Sequence, residues 1–184
     1  AGTYSVLISN NNDCQEYQEF TITEPSEPLQ LSEDEDSRVN INCFGGATGQ
    51  ITVIATGGTE PYSFSINGEA DQASGVFTDL PAGNHDIVVT DATGECTDAI
   101  SIELTENSVL TSTELSHQDI LCAGSFGSFD ILADGGVGPY LYGLGAPTEP
   151  SGFFSNLLAG DYTVSISDAL GCTIEETITI IELP

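Results

Sequence analysis

Leu157-Leu158-Ala159-Gly160-Asp161-Tyr162-Thr163-Val164-Ser165-Ile166-Ser167-Asp168 is the stretch that decides the fold, because the chain carries its pattern three times. Within it Tyr162, Val164 and Ile166 alternate with Thr163, Ser165 and Ser167. A period of two is the mark of a half-buried antiparallel strand. Leu80-Pro81-Ala82-Gly83-Asn84-His85-Asp86-Ile87-Val88-Val89-Thr90-Asp91 repeats the block, and Ala1 to Ser9 fits it from the Ala-Gly onward. Upstream, Gly57-Gly58-Thr59-Glu60-Pro61-Tyr62 matches Gly135-Gly136-Val137-Gly138-Pro139-Tyr140, and Cys43-Phe44-Gly45 matches Cys122-Ala123-Gly124. The Pro-Tyr pairs lie 78 residues apart, the Ala-Gly pairs 77 and the later cysteines 76. Near-constant offsets across separate motifs mean internal repetition.

The division that follows is residues 1–25 as the C-terminal strands of a truncated repeat, 26–106 as one complete repeat and 107–184 as another. Tyr62, Phe64 and Ile66 alternate with Ser63, Ser65 and Asn67, and further strands are expected near 29–33, 39–42, 50–56, 75–79 and 96–104. Six or seven short strands per repeat, separated by Gly- and Pro-containing turns, predict an all-β chain of tandem Ig-like antiparallel β-sandwich repeats. In Asp168-Ala169-Leu170-Gly171 and Asp91-Ala92-Thr93-Gly94 the aspartate is placed to cap a turn. Gly171 and Gly94 then supply the positive φ that leads into the next strand. Tyr162 resembles the tyrosine corner of Greek-key sandwiches. His85 stands in its slot in the middle repeat.

Twenty-nine acidic residues face one cation, Arg38, for a formal net charge of −28. Without Lys or Arg a protein cannot neutralise phosphates, so nucleic acid is excluded as a partner, and so is docking on an anionic membrane. No apolar run reaches the roughly 20 residues of a membrane span, so membrane insertion is not expected. No basic and apolar leader opens the sequence, so a secretion signal is expected outside it. The acidity has two readings: solubility and mutual repulsion of long filaments, or binding of Ca²⁺, a hard cation that takes oxygen ligands. Glu33, Asp34, Glu35 and Asp36 are the Ca²⁺ candidates. No other cofactor is expected, and the equivalent stretch around Thr113-Glu114-Leu115-Ser116 is far less acidic.

Cysteines stand at 14, 43, 96, 122 and 172. The favoured pairing is Cys43 with Cys96 and Cys122 with Cys172, inside each repeat. By the chain-entropy argument, closing loops of about 50 residues contributes on the order of 4 kcal/mol each. Cys14 is then unpaired. An equally periodic alternative joins Cys14 to Cys43 and Cys96 to Cys122 and leaves Cys172 for a further repeat, and reduced thiols are a third state. Either disulfide pattern places the chain outside the cell. Zinc is a poor reading, since no C-x-x-C pair occurs.

Enzymatic function is not expected. His85 fills a slot otherwise held by Tyr4 and Tyr162, His117 has no catalytic motif beside it, and scattered carboxylates do not make a site. A glycan-binding module is an alternative, although the chain has no Trp and Tyr62, Phe64, Tyr140, Tyr142 and Tyr162 fall on the inward alternation. Spacer repeats of a large surface enzyme are another.

Assembled, each repeat reads C-x-G, G-G-x-x-P-Y, L-x-A-G-x-Y and D-A-x-G-C. This order resembles the SprB-type repeat of gliding-motility adhesins and other large surface proteins of Bacteroidota, over essentially the whole chain. His85 and the inserted Glu95 depart from the pattern. The resemblance implies type IX secretion and display on the cell surface as a stalk or adhesin segment. The partners it implies are neighbouring repeats of the same chain, then a surface polysaccharide or substratum. It implies no active site.

Overall fold

The computed structural model describes every residue except Asp13, Pro25, Ser26 and Ala123. The expected boundary between residues 25 and 26, part of the linker expected near Glu24–Pro28 (its counterpart is expected near Glu106–Ser108) and the middle of Cys122-Ala123-Gly124 therefore lie outside the described residues. Among the described residues, fourteen strands and one short 3-10 turn, Glu35–Ser37, make up the regular structure. No helix among the described residues is long and apolar enough to cross a membrane.

Strands β1 (Gly2–Ser9) and β2 (Gln15–Ile22) form a two-stranded antiparallel hairpin. Then follow β3 (Gln30–Glu33), β4 (Gly49–Thr56), β5 (Ser63–Ile66), β6 (Val76–Leu80), β7 (Gly83–Thr90) and β8 (Thr97–Leu104). They form two three-stranded sheets, ordered β3-β4-β6 and β5-β7-β8. Strands β9 (Thr111–Gln118), β10 (Gly127–Asp134), β11 (Leu141–Leu144), β12 (Phe153–Leu157), β13 (Gly160–Ser167) and β14 (Thr173–Ile180) repeat that scheme as β9-β10-β12 and β11-β13-β14. In each set the first, second and fourth strands share one sheet and the third, fifth and sixth the other. That is the connectivity of an Ig-type sandwich.

The chain divides into two compact units, Ala1–Glu35 with Thr52–Val76 and His85–Ile102, and Asp36–Ile51 with Phe77–Asn84 and Glu103–Pro184. In the first, Val53, Phe64, Ile66, Ile87, Val89 and Ile102 are buried. In the second, one cluster takes Phe129, Ile131 and Ala133 from β10 and Leu157 from β12. It packs them on Tyr142 of β11, Val164 and Ile166 of β13, and Ile178 and Ile180 of β14. Both sheets thus feed one core, and the period-two residues quoted at the outset face into it.

The expected strand at 39–42 is instead two single bridges, Val39 to Gln50 and Ile41 to Glu106. The Ile41 N–H donates to the Thr105 carbonyl and the Asn40 side chain accepts from the Thr105 N–H, so this segment binds the linker. Two glycines carry weight that periodicity did not signal. A Cβ on Gly152 would overlap the Ile131 carbonyl oxygen, and one on Gly75 the Val53 carbonyl oxygen. These positions need close strand approach, which only glycine allows.

Candidate functional site

The chemistry-bearing motifs gather at a joint built from residues 40–46, 104–110, 135–140 and 168–174, all within the second unit. The linker is bonded along its length. Thr105 exchanges hydrogen bonds with Ile41 and Asn40 at 2.9 and 3.0 Å. The Gly45 N–H donates to Glu106 Oε2 at 2.6 Å and Asn107 Nδ2 donates to the Asn42 carbonyl at 2.9 Å. The Gly136 N–H donates to the Ser108 carbonyl at 3.0 Å.

The Gly-Gly-x-x-Pro-Tyr motif is the clamp on the far side of this linker. Gly135 and Gly136 hold φ of 74° and 55°, the region that favours glycine. A Cβ on Gly135 would overlap the Val109 carbonyl oxygen. Tyr140 Oη donates back to the Gly135 carbonyl at 2.7 Å, and Tyr62 does the same to Gly57 at 2.6 Å. Gly135→Ala should therefore cost about 1–3 kcal/mol from backbone strain alone and expose the Gly136 amide. Hydrogen exchange at that amide should quicken tenfold or more; unchanged protection would refute the clamp.

Asp168 connects this clamp to the β13–β14 turn. Its Oδ1 accepts the Leu170 and Cys172 N–H groups at 2.9 Å each, and its Oδ2 accepts Val137 N–H at 3.0 Å. Gly171, at φ 83°, completes the turn. Asp91 does the same work through Thr93 and Thr59, with Gly94 at φ 75°. The Glu95 insertion lengthens that turn by one residue, and the Thr93 hydroxyl donates to Asp91 Oδ1. In the first hairpin Asn10 Oδ1 accepts from Asn12 and Cys14. An amide thus suffices for the hairpin half of the task, while the second carboxylate oxygen is needed to reach the clamp.

Burial pushes the Asp168 carboxyl upward. Hydrogen bonds from the backbone of Val137, Cys172, Leu170 and Gly171 outweigh that and hold it below the ordinary carboxylate range. The Asp91 carboxyl is also lowered, chiefly by the Thr93 hydroxyl. A carboxyl lowered by folding stabilises the fold fully above its unfolded value of about 3.9. That stability is lost as pH falls through the folded value. Asp168→Ala strands three N–H donors and should cost about 2–3 kcal/mol. Asp168→Asn should cost roughly half as much, because it keeps the hairpin bonds but sets an NH₂ against the Val137 N–H. In urea titrations from pH 7 to pH 3, wild type should approach Asp168→Asn in stability at the acid end. A constant difference would refute this role.

The remaining predicted residues scatter. Tyr162 Oη donates to the Leu158 carbonyl at 2.9 Å. His85 is buried with Nδ1 3.1 Å from Asn67 Nδ2. His117 is exposed between Glu114 and Asp119, at 2.9 and 3.0 Å. The Asp119 hydrogen bond, with Glu114, raises its pKa. The acidic run is split: Glu33 ends β3, the Asp34 N–H donates to the Thr52 carbonyl, and Glu35 and Asp36 enter the 3-10 turn. Among the described residues no three His, Cys, Asp or Glu side chains are gathered as an ion site. Tyr4, Tyr17, Phe20, Phe44, Phe126 and Phe153 are exposed, more aromatics than the inward alternation suggested.

The cysteines depart most from expectation. Cys43 is bonded to Cys172 with the Cα atoms 5.5 Å apart, and Cys14, Cys96 and Cys122 carry free, exposed thiols. Neither expected pairing forms. Cys172 immediately precedes β14, whereas the Cys122 loop is bridged at Ile120 to Glu182, just past the other end of that strand. Eight residues of strand separate them by about 25 Å, against the Cα spacing of at most about 7 Å that a disulfide tolerates. β8 divides Cys96 from the Cys43 loop in the same way.

Residues 37–71 match the family model of the SprB repeat. The SprB-matched span holds the Cys43 loop and the Gly57-Gly58-x-x-Pro61-Tyr62 clamp of the middle repeat, and it supports the SprB-type repeat family. No curated protein matches the chain. Among solved structures, the chain is similar to a C-terminal fragment of intimin, solved with the intimin-binding domain of its translocated receptor. The identity is 14% and the TM-score 0.38, over 78% of this chain and 64% of that one. It is similar to fibronectin(III)-like modules of Clostridium thermocellum CbhA at 10% identity and TM-score 0.35, over 83% and 94% of the two chains. It is also similar to domains 4–9 of the surface layer protein SbsC at 15% identity and TM-score 0.32, over 88% and 31%. The chain thus spans less than two thirds of the intimin fragment. Likeness at this level adds nothing to what the SprB match and the chain's own geometry support.

Proposed function

We propose that this chain is a non-enzymatic segment of a secreted cell-surface protein, a stalk in which sandwich repeats follow one another through locked joints. The observation that carries the reading is the linker at Thr105–Val109. Hydrogen bonds hold it on both sides and a disulfide straps it, so it has no slack to act as a hinge. The SprB match supports surface display. Adhesion or gliding, and export by type IX secretion, are the finer roles proposed from that resemblance.

The hairpin at residues 2–22 is proposed as the closing strands of a further repeat. Its register, Gly2 with Ile22 through Ser9 with Gln15, reproduces Gly160 with Ile180 through Ser167 with Thr173 at one constant offset. Val164 and Ile166 are 0% exposed, whereas the matching Val6 and Ile8 are 48% and 60% exposed. An apolar face of this kind suits a sheet that packs on another.

Two measurements test the surface reading. Antibodies raised against the full chain should label intact cells of the source organism; labelling only after permeabilisation would sink it. On a glycan array the chain should give no reproducible binding, and micromolar binding to a defined glycan would instead favour the glycan-binding module.

A further inference from the structure

We infer that the Cys43–Cys172 bond is one rung of a covalent ladder, in which the loop cysteine of each repeat is bonded to the turn cysteine of the repeat that follows. The inference rests on the tandem-repeat reading above and adds a polarity and a partner for each free thiol.

The loop that presents Cys43 is rebuilt around Cys122. Ile41 donates its N–H to Thr105 and Ile120 donates its own to Ile181, both at 2.9 Å. Asn40 Oδ1 accepts from the Thr105 N–H and Asp119 Oδ1 from the Ile181 N–H, both at 3.0 Å. Both loops make the same parallel bridge, Ile41 to Glu106 and Ile120 to Glu182. The turn that presents Cys172 is likewise rebuilt twice. Asp168 N–H donates to the Cys172 carbonyl at 3.0 Å, Asp91 N–H to Cys96 at 3.1 Å and Asn10 N–H to Cys14 at 3.0 Å. Two loop cysteines and three turn cysteines therefore carry matching hydrogen bonds, the Cys96 turn being one residue longer, and one loop–turn pair is bonded.

The pattern accounts for the free thiols. Under a rule of loop to following turn, Cys43 takes Cys172. Cys122 takes the turn of a repeat placed after it, and Cys96 and Cys14 take the loops of repeats placed before them. These three are the thiols left free. A second observation marks the Cys122 end as a docking face. Leu121 and Leu158 there are 63% and 64% exposed. A cleft of about 360 Å³ opens among Ile120, Gly124, Ser125, Phe126, Leu158 and Glu182. Leu121, Cys122, Gly124, Ser125 and Phe126 carry no charge, so a second acidic repeat meets less repulsion at this loop than on the carboxylate-rich strands.

Each rung forms by oxidation of two thiols. The loop and turn sulfurs lose their protons and together give up two electrons to a small disulfide such as oxidised glutathione. One S–S bond forms in the protein, one breaks in the oxidant, and two reduced glutathiones leave.

The test is non-reducing peptide mapping with proteases that cut at Asp or Glu, since the single Arg leaves trypsin almost nothing to cut. The full chain should show Cys43 bonded to Cys172 and thiol labelling at Cys14, Cys96 and Cys122. A second copy of residues 107–184 is then joined after Pro184 and the protein is oxidised with glutathione disulfide. Cys122 should lose its label and be recovered bonded to the turn cysteine of the added copy. Cys122 bonded to Cys172, Cys43 bonded to Cys96, Cys96 bonded to Cys122, or Cys122 still labelled would each overturn the ladder. Surface labelling of cells is independent of this map, so the stalk reading and the ladder fail separately.

Discussion

Pulled from its two ends with its disulfide intact, the chain should surrender only the residues outside the Cys43–Cys172 loop, and reductant should then release roughly 40–45 nm more. The bond has a sequence separation of 129 residues, and an extended residue spans about 3.3–3.6 Å. The hidden length thus includes β4 to β13 and both ends of the linker. Single-molecule extension of the full chain, with and without reductant, measures it directly. Either pairing expected from sequence gives a different release, in two smaller steps: loops of about 50 residues each for Cys43–Cys96 and Cys122–Cys172, and of roughly 25–30 residues each for Cys14–Cys43 and Cys96–Cys122. Equal extension in both conditions would mean that the bond does not form. The magnitude makes the experiment decisive, since force spectroscopy resolves differences far smaller than this.

The second large effect is expected at Phe129. Its side chain is fully buried on β10, with the rings of Phe154 and Tyr162 centred 5.1 and 6.4 Å away. Phe129→Ala removes the largest fully buried side chain and leaves a cavity that rigid strands on both sides cannot close. The cost should be about 3–5 kcal/mol. For a sandwich of this size that lowers the melting temperature by roughly 15–30 °C. Thermal unfolding followed by circular dichroism should show the third-repeat transition separating to lower temperature, and a shift under about 5 °C would contradict the packing described. Gly135→Ala, by comparison, strains one joint and leaves this core intact.

The contrast between these two sites shows what the sequence could carry. The core was legible because its rule is local: alternation in Tyr162-Thr163-Val164-Ser165-Ile166 places Val164 and Ile166 on one face without reference to any other strand. The turns were legible for the same reason, since the bonds that Asp168 Oδ1 accepts from Leu170 and Cys172 span at most four residues, whereas the reach of its Oδ2 to Val137 left no local sign. The disulfide was not. Periodic cysteines fit several pairings equally, and the deciding fact is that Ile120 bridges beyond the far end of β14 while Cys172 stands at its start. That fact is a non-local hydrogen bond between residues 61 apart (Ile120 and Ile181), with no signature in composition or period. The acidic run divides where composition marks no boundary: Glu33 ends β3, while Glu35 and Asp36 lie in the 3-10 turn. Gly75 and Gly152 were missed because close strand approach leaves no mark on hydrophobic periodicity. The Gly-Gly-x-x-Pro-Tyr motif was visible as a repeat, but its purpose as a linker clamp required the Val109 carbonyl to be seen against Gly135.

The closed loop also changes what damage means for this molecule. A backbone cut by a protease anywhere between Phe44 and Gly171 would leave both fragments tied through Cys43 and Cys172. Severing the strand in two would take a second, chemically different event. Outside a cell, where peptide bonds are attacked but reductants are scarce, scission at one place would be survivable.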